Sequence, residues 1–124
     1  GQCFTNVQLL RALKTQDASL NVDQILPPEL RTYSCDARAR KPSETLLRRA
    51  LASLTSQGIR AEAVLHVGSR LPRDLAPARK MGMRTALYAG DKAALEATAE
   101  AMKDPAQRPD ALITELSQVA KLVS

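Results

Sequence analysis

The sequence predicts an α/β fold with a mostly parallel sheet and helices on both faces, and three features in residues 64–90 carry that prediction. Residues 64–67 (Val-Leu-His-Val) form a short apolar run of the kind buried on both faces of a sheet. Gly68 ends the run, and a polar turn from Ser69 to Arg73 follows. A helix is expected to begin near Asp74, which suits both N-terminal capping and the helix dipole. It closes at Lys80, Met81 and Gly82, where cations and a glycine mark a helix end. Residues 83–89 then read as a second buried strand. Strand, polar turn, helix and strand make one βαβ unit with a right-handed crossover. In such a sheet, ligands bind at the turn that follows the first strand.

The rest of the chain continues the alternation. Residues 3–5 read as a very short strand, and Asn6 as the cap of a helix over 7–15 with Val7, Leu10 and Leu13 on one face. Thr5 is then expected at a strand end beside a helix N-terminus, a place suited to anions, unless Thr5 and Asn6 merely share the capping. Residues 17–30 form an irregular connection. Leu20, Val22, Ile25 and Leu26 are expected to pack under the sheet edge, and Pro27-Pro28 breaks any helix. A brief strand is expected at 32–35, followed by a polar, basic segment, 36–41. Pro42 holds Lys41 extended, and Ser43 caps a helix over 44–57 with Leu47, Ala50, Leu51 and Leu54 inward. Gly58 stops it. Beyond the central unit, Asp91 is expected to cap an Ala-rich helix to about Lys103, residues 111–113 to form one more strand, and Thr114 to start a closing helix. That last helix would turn Leu116, Val119, Ala120 and Val123 inward.

Composition bounds the function. A chain of 124 residues is expected to form one domain, and at 44% hydrophobic and 2% aromatic its core is built of Leu, Ala, Val and Ile. No run is long enough to span a membrane and no signal-peptide layout precedes the first predicted helix, so a cytoplasmic or otherwise reducing location is expected. Cys3 and Cys35 fall in separate predicted strands and read as small buried apolar residues. The net charge of +5 comes with basic clusters at Arg38, Arg40 and Lys41, at Arg48 and Arg49, and at Arg70 and Arg73. With aromatic platforms for stacking bases nearly absent, nucleic acid is not expected as a partner. The clusters are a solvated face or an anion site, phosphate being the anion expected. Lys41, restrained by Pro42 and the following cap, suits an electrostatic role. His66 reads as an interior, hydrogen-bonded residue, or else one that faces the site. Met81 and Met83 read as core filler.

Thr5-Asn6, Lys41-Pro42 and His66-Val67-Gly68, followed by Asp74 and by Ala78 through Gly82-Met83-Arg84-Thr85, resemble the second to fourth motifs of the haloacid dehalogenase-like (HAD) hydrolase superfamily. The resemblance runs from Phe4 to about Leu116. It implies a Rossmann-like sheet and, in active members, Mg²⁺-dependent phosphoryl transfer through an aspartyl-phosphate. Thr5 then stands where the family places a phosphate-binding hydroxyl, with Asn6 beside it. Lys41 stands on the lysine that steadies the nucleophile and the transferring group, and Asp74 on the second acid of the fourth motif. A fixed cation beside developing negative charge is what such a transfer needs.

Two departures qualify that reading. The family's first motif, a strand ending in Asp-x-Asp, supplies nucleophile and metal ligand, and no Asp-x-Asp occurs in this sequence. The fourth motif normally reads Gly-Asp and here reads Gly68-Ser69-Arg70. A hydroxyl and a guanidinium replace a carboxylate that Mg²⁺ prefers, leaving Asp74 and Ser69 a weak metal site and Arg70 a candidate phosphate ligand. Mg²⁺ is therefore expected only if the acidic motif is supplied from elsewhere. The absent strand is central in the family, so the sheet lacks it, and an open edge invites a preceding segment or a second copy. The chain reads as a HAD-like domain, phosphatase-like by resemblance but not catalytic by itself. The alternative is a binding or assembly module that holds a phosphorylated small molecule or pairs with another chain.

Overall fold

The central unit forms as expected: Leu65–Gly68 (β1) and Arg84–Tyr88 (β2) are parallel strands, and Ala111–Ile113 (β3) adds in parallel on the far side of β2. The computed structural model describes residues 5–41 and 43–124, with only the backbone at Thr5 and Asn6. Val67 lies beside Ala86 and Leu87 beside Leu112. Thr85, Ala86 and Leu87 of the middle strand are buried, as a strand covered on both faces requires. β1 is half-buried throughout, and among the described residues neither β1 nor β3 has a strand on its outer edge.

The connection from β1 to β2 starts earlier than its sequence suggests. Leu71–Leu75 make a π turn that runs directly into Ala76–Lys80, here α5 in chain order. The Ala76 N–H reaches back to the Leu71 carbonyl, five residues away, which widens the turn. Leu71, Leu75 and Ala78 are buried and join Met83, Leu87 and Ile113 in the core. Gly82, with φ of +84°, makes the left-handed step that ends α5 and starts β2.

Two compact units divide the chain, Gly1–Gln57 and Gly58–Ser124, and the sheet belongs to the second. The first is helical among its described residues: Thr5–Gln16 (α1), Val22–Ile25 (α2), Ser34–Ala37 (α3) and Thr45–Thr55 (α4). Several expectations are corrected here. Thr5 is the first helical residue of α1, not a strand end, and Asn6 lies inside the helix instead of capping it. The rest of that expected strand, like Cys3 and Pro42, lies outside the described residues. Residues 32–35 do not form a strand. Extended backbone at Tyr33 leads into the α3 turn, closed by the Ala37 N–H to the Tyr33 carbonyl, because no ladder is available to hold it. Of the apolar residues in the connection, Val22 is buried, whereas Ile25 and Leu26 are exposed. Ser43 does serve the start of α4, its hydroxyl accepting the Thr45 N–H at 3.3 Å. Gly58, at φ +80°, follows its end.

The second unit also departs from pattern after β2. Asp91 caps no long helix. Its carboxylate accepts the Ala93 N–H at 3.0 Å in a local turn, and the helix Ala99–Lys103 (α6) begins later, capped by the Thr98 hydroxyl on the Ala101 N–H. Beyond β3, Glu115 and Gln118 form a reciprocal capping box before Val119–Val123 (α7), so Thr114 is not the cap. Leu116 and Val123 are exposed, not inward.

A polar clamp closes the N-terminal end of the sheet. The Asp110 carboxylate accepts the Thr85 N–H at 2.7 Å and the Thr85 hydroxyl at 3.0 Å, and pairs with Arg79 of α5 at 3.1 Å. Arg79 also donates to the Pro105 carbonyl. Partial burial pushes the Asp110 carboxyl up, but the Thr85 amide, the Thr85 hydroxyl and the Arg79 guanidinium together outweigh it and hold its pKa below the ordinary carboxylate value. A depressed folded-state pKa stabilises the protein above the unfolded value, and that stabilisation is lost as pH falls through the folded value. Because the Asp110 side chain is 40% exposed, solvent screening limits the effect. Asp110→Asn is expected to cost about 1 kcal/mol near neutral pH, read as a urea midpoint. The gap between wild type and variant should close below about pH 4; a gap constant with pH would show that the ionised carboxylate is not what matters.

Candidate functional site

In a parallel sheet all strand C-termini lie at one end, so the segments after β1, β2 and β3 gather there. The turn after β1 is Gly68-Ser69-Arg70, with Ser69 half-buried and Arg70 exposed. The segment after β2 is bound to it. The Ser69 carbonyl accepts the Glu96 N–H at 2.9 Å, and the Leu71 N–H donates to the Glu96 carbonyl at 2.8 Å. The Glu96 carboxylate also pairs with Arg73 at 3.5 Å. This cross-connection explains why residues 91–98 are not helical: the Glu96 backbone is taken by the first turn.

Beneath the turn lies Asp74, 6% exposed. Its Oδ2 accepts the Arg70 N–H at 3.2 Å, while its own N–H donates to the Arg70 carbonyl at 2.8 Å. Asp74 is therefore not a helix cap but a clasp on the turn. Gly68 makes the clasp possible, since a Cβ at that position would sit 2.6 Å from the Asp74 Cβ and 3.0 Å from Oδ2. At the neighbouring strand end, Gly90 lies against the Thr114 carbonyl and the Tyr88 ring, leaving no room for a side chain.

The second unit thus brings Ser69, Arg70 and Asp74 together. Thr5, Asn6 and Lys41 belong to the first unit, where Lys41 is an exposed residue in the turn before α4, and the Thr5 and Asn6 side chains lie outside the described residues. His66 of β1 is half-buried, with Nε2 shut off from solvent. Among the described residues, no three His, Cys, Asp or Glu side chains gather where they could hold a metal ion. The donors at the turn are one carboxylate whose Oδ2 accepts a backbone N–H, one hydroxyl and one guanidinium, a set poorer in hard oxygen ligands than Mg²⁺ favours. The sequence reading missed Glu96 and Asp110, each of which acts through a contact distant in sequence. An acidic residue just before a strand was the one signal for Asp110.

A HAD-hydrolase-like family model matches residues 38–119, two thirds of the sequence. The chain belongs to the HAD-like hydrolase family. Seven solved chains match it, among them a p-nitrophenyl phosphatase from Archaeoglobus fulgidus, with 27% identity and a TM-score of 0.48. That match covers 66% of this chain and 30% of the phosphatase. No curated protein matches. The parallel α/β sheet is that of a HAD-like, Rossmann-like fold. No helix among the described residues is long and apolar enough to cross a membrane.

Gly68→Ala is expected to lower stability by about 2 kcal/mol or more, because the new methyl meets a Cβ anchored to its own backbone. An unchanged urea midpoint would mean that the turn relaxes freely and that the clasp is not tight.

Proposed function

We propose that this chain is a HAD-like hydrolase domain that has kept the fold and the buried acid of the fourth motif for architecture and does not itself catalyse phosphoryl transfer. The observation that carries the reading is the Asp74 carboxylate committed to the Arg70 N–H, beneath Ser69 and Arg70. Phosphoryl transfer in this family depends on charge compensation at that turn, and here the turn offers a guanidinium in place of a metal-binding acid. A preceding segment carrying Asp-x-Asp would still meet Ser69 and Arg70, so the reading does not depend on where the chain begins. A Mg²⁺ role would need acids from outside these residues.

One observation supports a binding role at the same turn. Arg70 is exposed at the strand end and its guanidinium carries no ion pair among the described residues, whereas Arg73 is taken by Glu96. Arg70 therefore suits a phosphorylated small molecule held without turnover, with Arg73 excluded from that task. A cytoplasmic setting remains the expected one for such a domain.

The test is p-nitrophenyl phosphate hydrolysis by the purified chain with Mg²⁺. No Mg²⁺-dependent turnover is expected. Turnover that saturates with Mg²⁺ and is abolished by Asp74→Asn would overturn the proposal. In parallel, titration with inorganic phosphate should show weak binding that Arg70→Ala removes.

A further inference from the structure

Two arginines and one carboxylate meet on the outer side of the turn after β1. Glu96 is the bridge partner of Arg70: its N–H donates to the Ser69 carbonyl and its carbonyl accepts the Leu71 N–H, so the two residues lie side by side. Its carboxylate nevertheless pairs with Arg73, at 3.5 Å. One glutamate therefore neighbours both arginines, and a small anion in the place of its carboxylate would lie within reach of both guanidinium groups. The ion pair is loose. The side chains of Arg73 and Glu96 are 53% and 45% exposed, and a pair so open to water contributes little. The backbone of Glu96, not its side chain, holds residues 91–98 to the turn, so the carboxylate is free to leave Arg73 without loosening the fold.

We infer that Glu96 is an internal stand-in for an anion at this turn, and that the ligand held there is a diphosphate. Its two phosphoryl groups bind Arg70 and Arg73 once the Glu96 carboxylate has moved aside. The inference rests on the anion-binding reading of Arg70 given above. A monophosphate needs only Arg70 and leaves Glu96 on Arg73. A diphosphate brings a second group with several charged oxygens, which a guanidinium meets through two parallel hydrogen bonds. The Glu96 contact, at 3.5 Å, is longer than a charge-assisted hydrogen bond, so the exchange on Arg73 replaces a weak partner with a strong one. Glu96 also sets selectivity. An anion that does not engage Arg73 is left beside an uncompensated carboxylate, and that repulsion discriminates against it.

The test is calorimetric titration of the 124-residue chain with inorganic pyrophosphate and, separately, inorganic phosphate, at one ionic strength and without divalent cations. Pyrophosphate should bind about tenfold more tightly than phosphate. Glu96→Gln should tighten pyrophosphate about fivefold further, the weight of an exposed ion pair, and leave the thermal midpoint unchanged. On an Arg73→Ala background that gain should disappear, because the pair it relieves is gone. Pyrophosphate binding no tighter than phosphate overturns the inference. So does a Glu96→Gln variant with unchanged pyrophosphate affinity, or a gain that persists without Arg73. The two readings fail differently. If Arg70→Ala leaves phosphate binding as it was, the anion site itself is wrong; if Arg70→Ala removes it and Glu96→Gln changes nothing, only the diphosphate inference falls.

Discussion

The close approach of Asp74 to the turn after β1 is the constraint on which the rest of the site depends. A carboxylate this buried is tolerated because a backbone N–H meets it, and the Arg70 amide does so. The approach requires that Gly68 have no side chain. With the turn held from beneath by Asp74, its outer backbone groups are free to bind Glu96, and that bond in turn sets the course of residues 91–98. One glycine thus governs two connections.

The two ends of the sheet are closed by carboxylates used in different ways. At the N-terminal end Asp110 keeps an exposed oxygen toward Arg79 and gives the other to Thr85, linking α5, β2 and β3. At the C-terminal end Asp74 is buried and bonded to a main-chain amide. The first is charge-paired and partly solvated, the second enclosed. In a hydrolase of this family the C-terminal end is where acids meet a cation. In this chain the acid beneath that turn is held by the protein's own backbone, and the neighbouring position carries a guanidinium. The fold of the family is retained, with Ser69 and Arg70 at the turn and the Asp74 carboxylate beneath them.

Much of the sheet was legible in the sequence. Residues 64–67, 83–89 and 111–113 are continuous apolar runs bounded by glycine or polar residues, and each contains an observed strand within a residue or so at its ends. Gly82 ended α5 through a positive φ, and Gly58, also at positive φ, closes the turn that follows α4, each for a reason local to the glycine. The misreadings share another cause. Residues 32–35 looked like a strand by composition but had no ladder, and residues 92–98 looked helical by composition but were drawn into pairing with Ser69 and Leu71. Of the candidate residues, Ser69, Arg70 and Asp74 came from the resemblance to the family's fourth motif, and they meet at one turn. The way Asp74 is used did not, because capping and clasping call for the same residue type at the same place.

What the sequence determined by itself was whatever depends on neighbours along the chain: the apolar runs, the glycine stops, the order of strand and helix, and the family motifs. What only the tertiary structure decided was which polar groups meet across the sheet ends. Hydrogen-bond partners such as Asp110 with Thr85, and Glu96 with Ser69, lie some 25 residues apart. Their pairing follows from strand register and close packing, and neither is written in a local pattern.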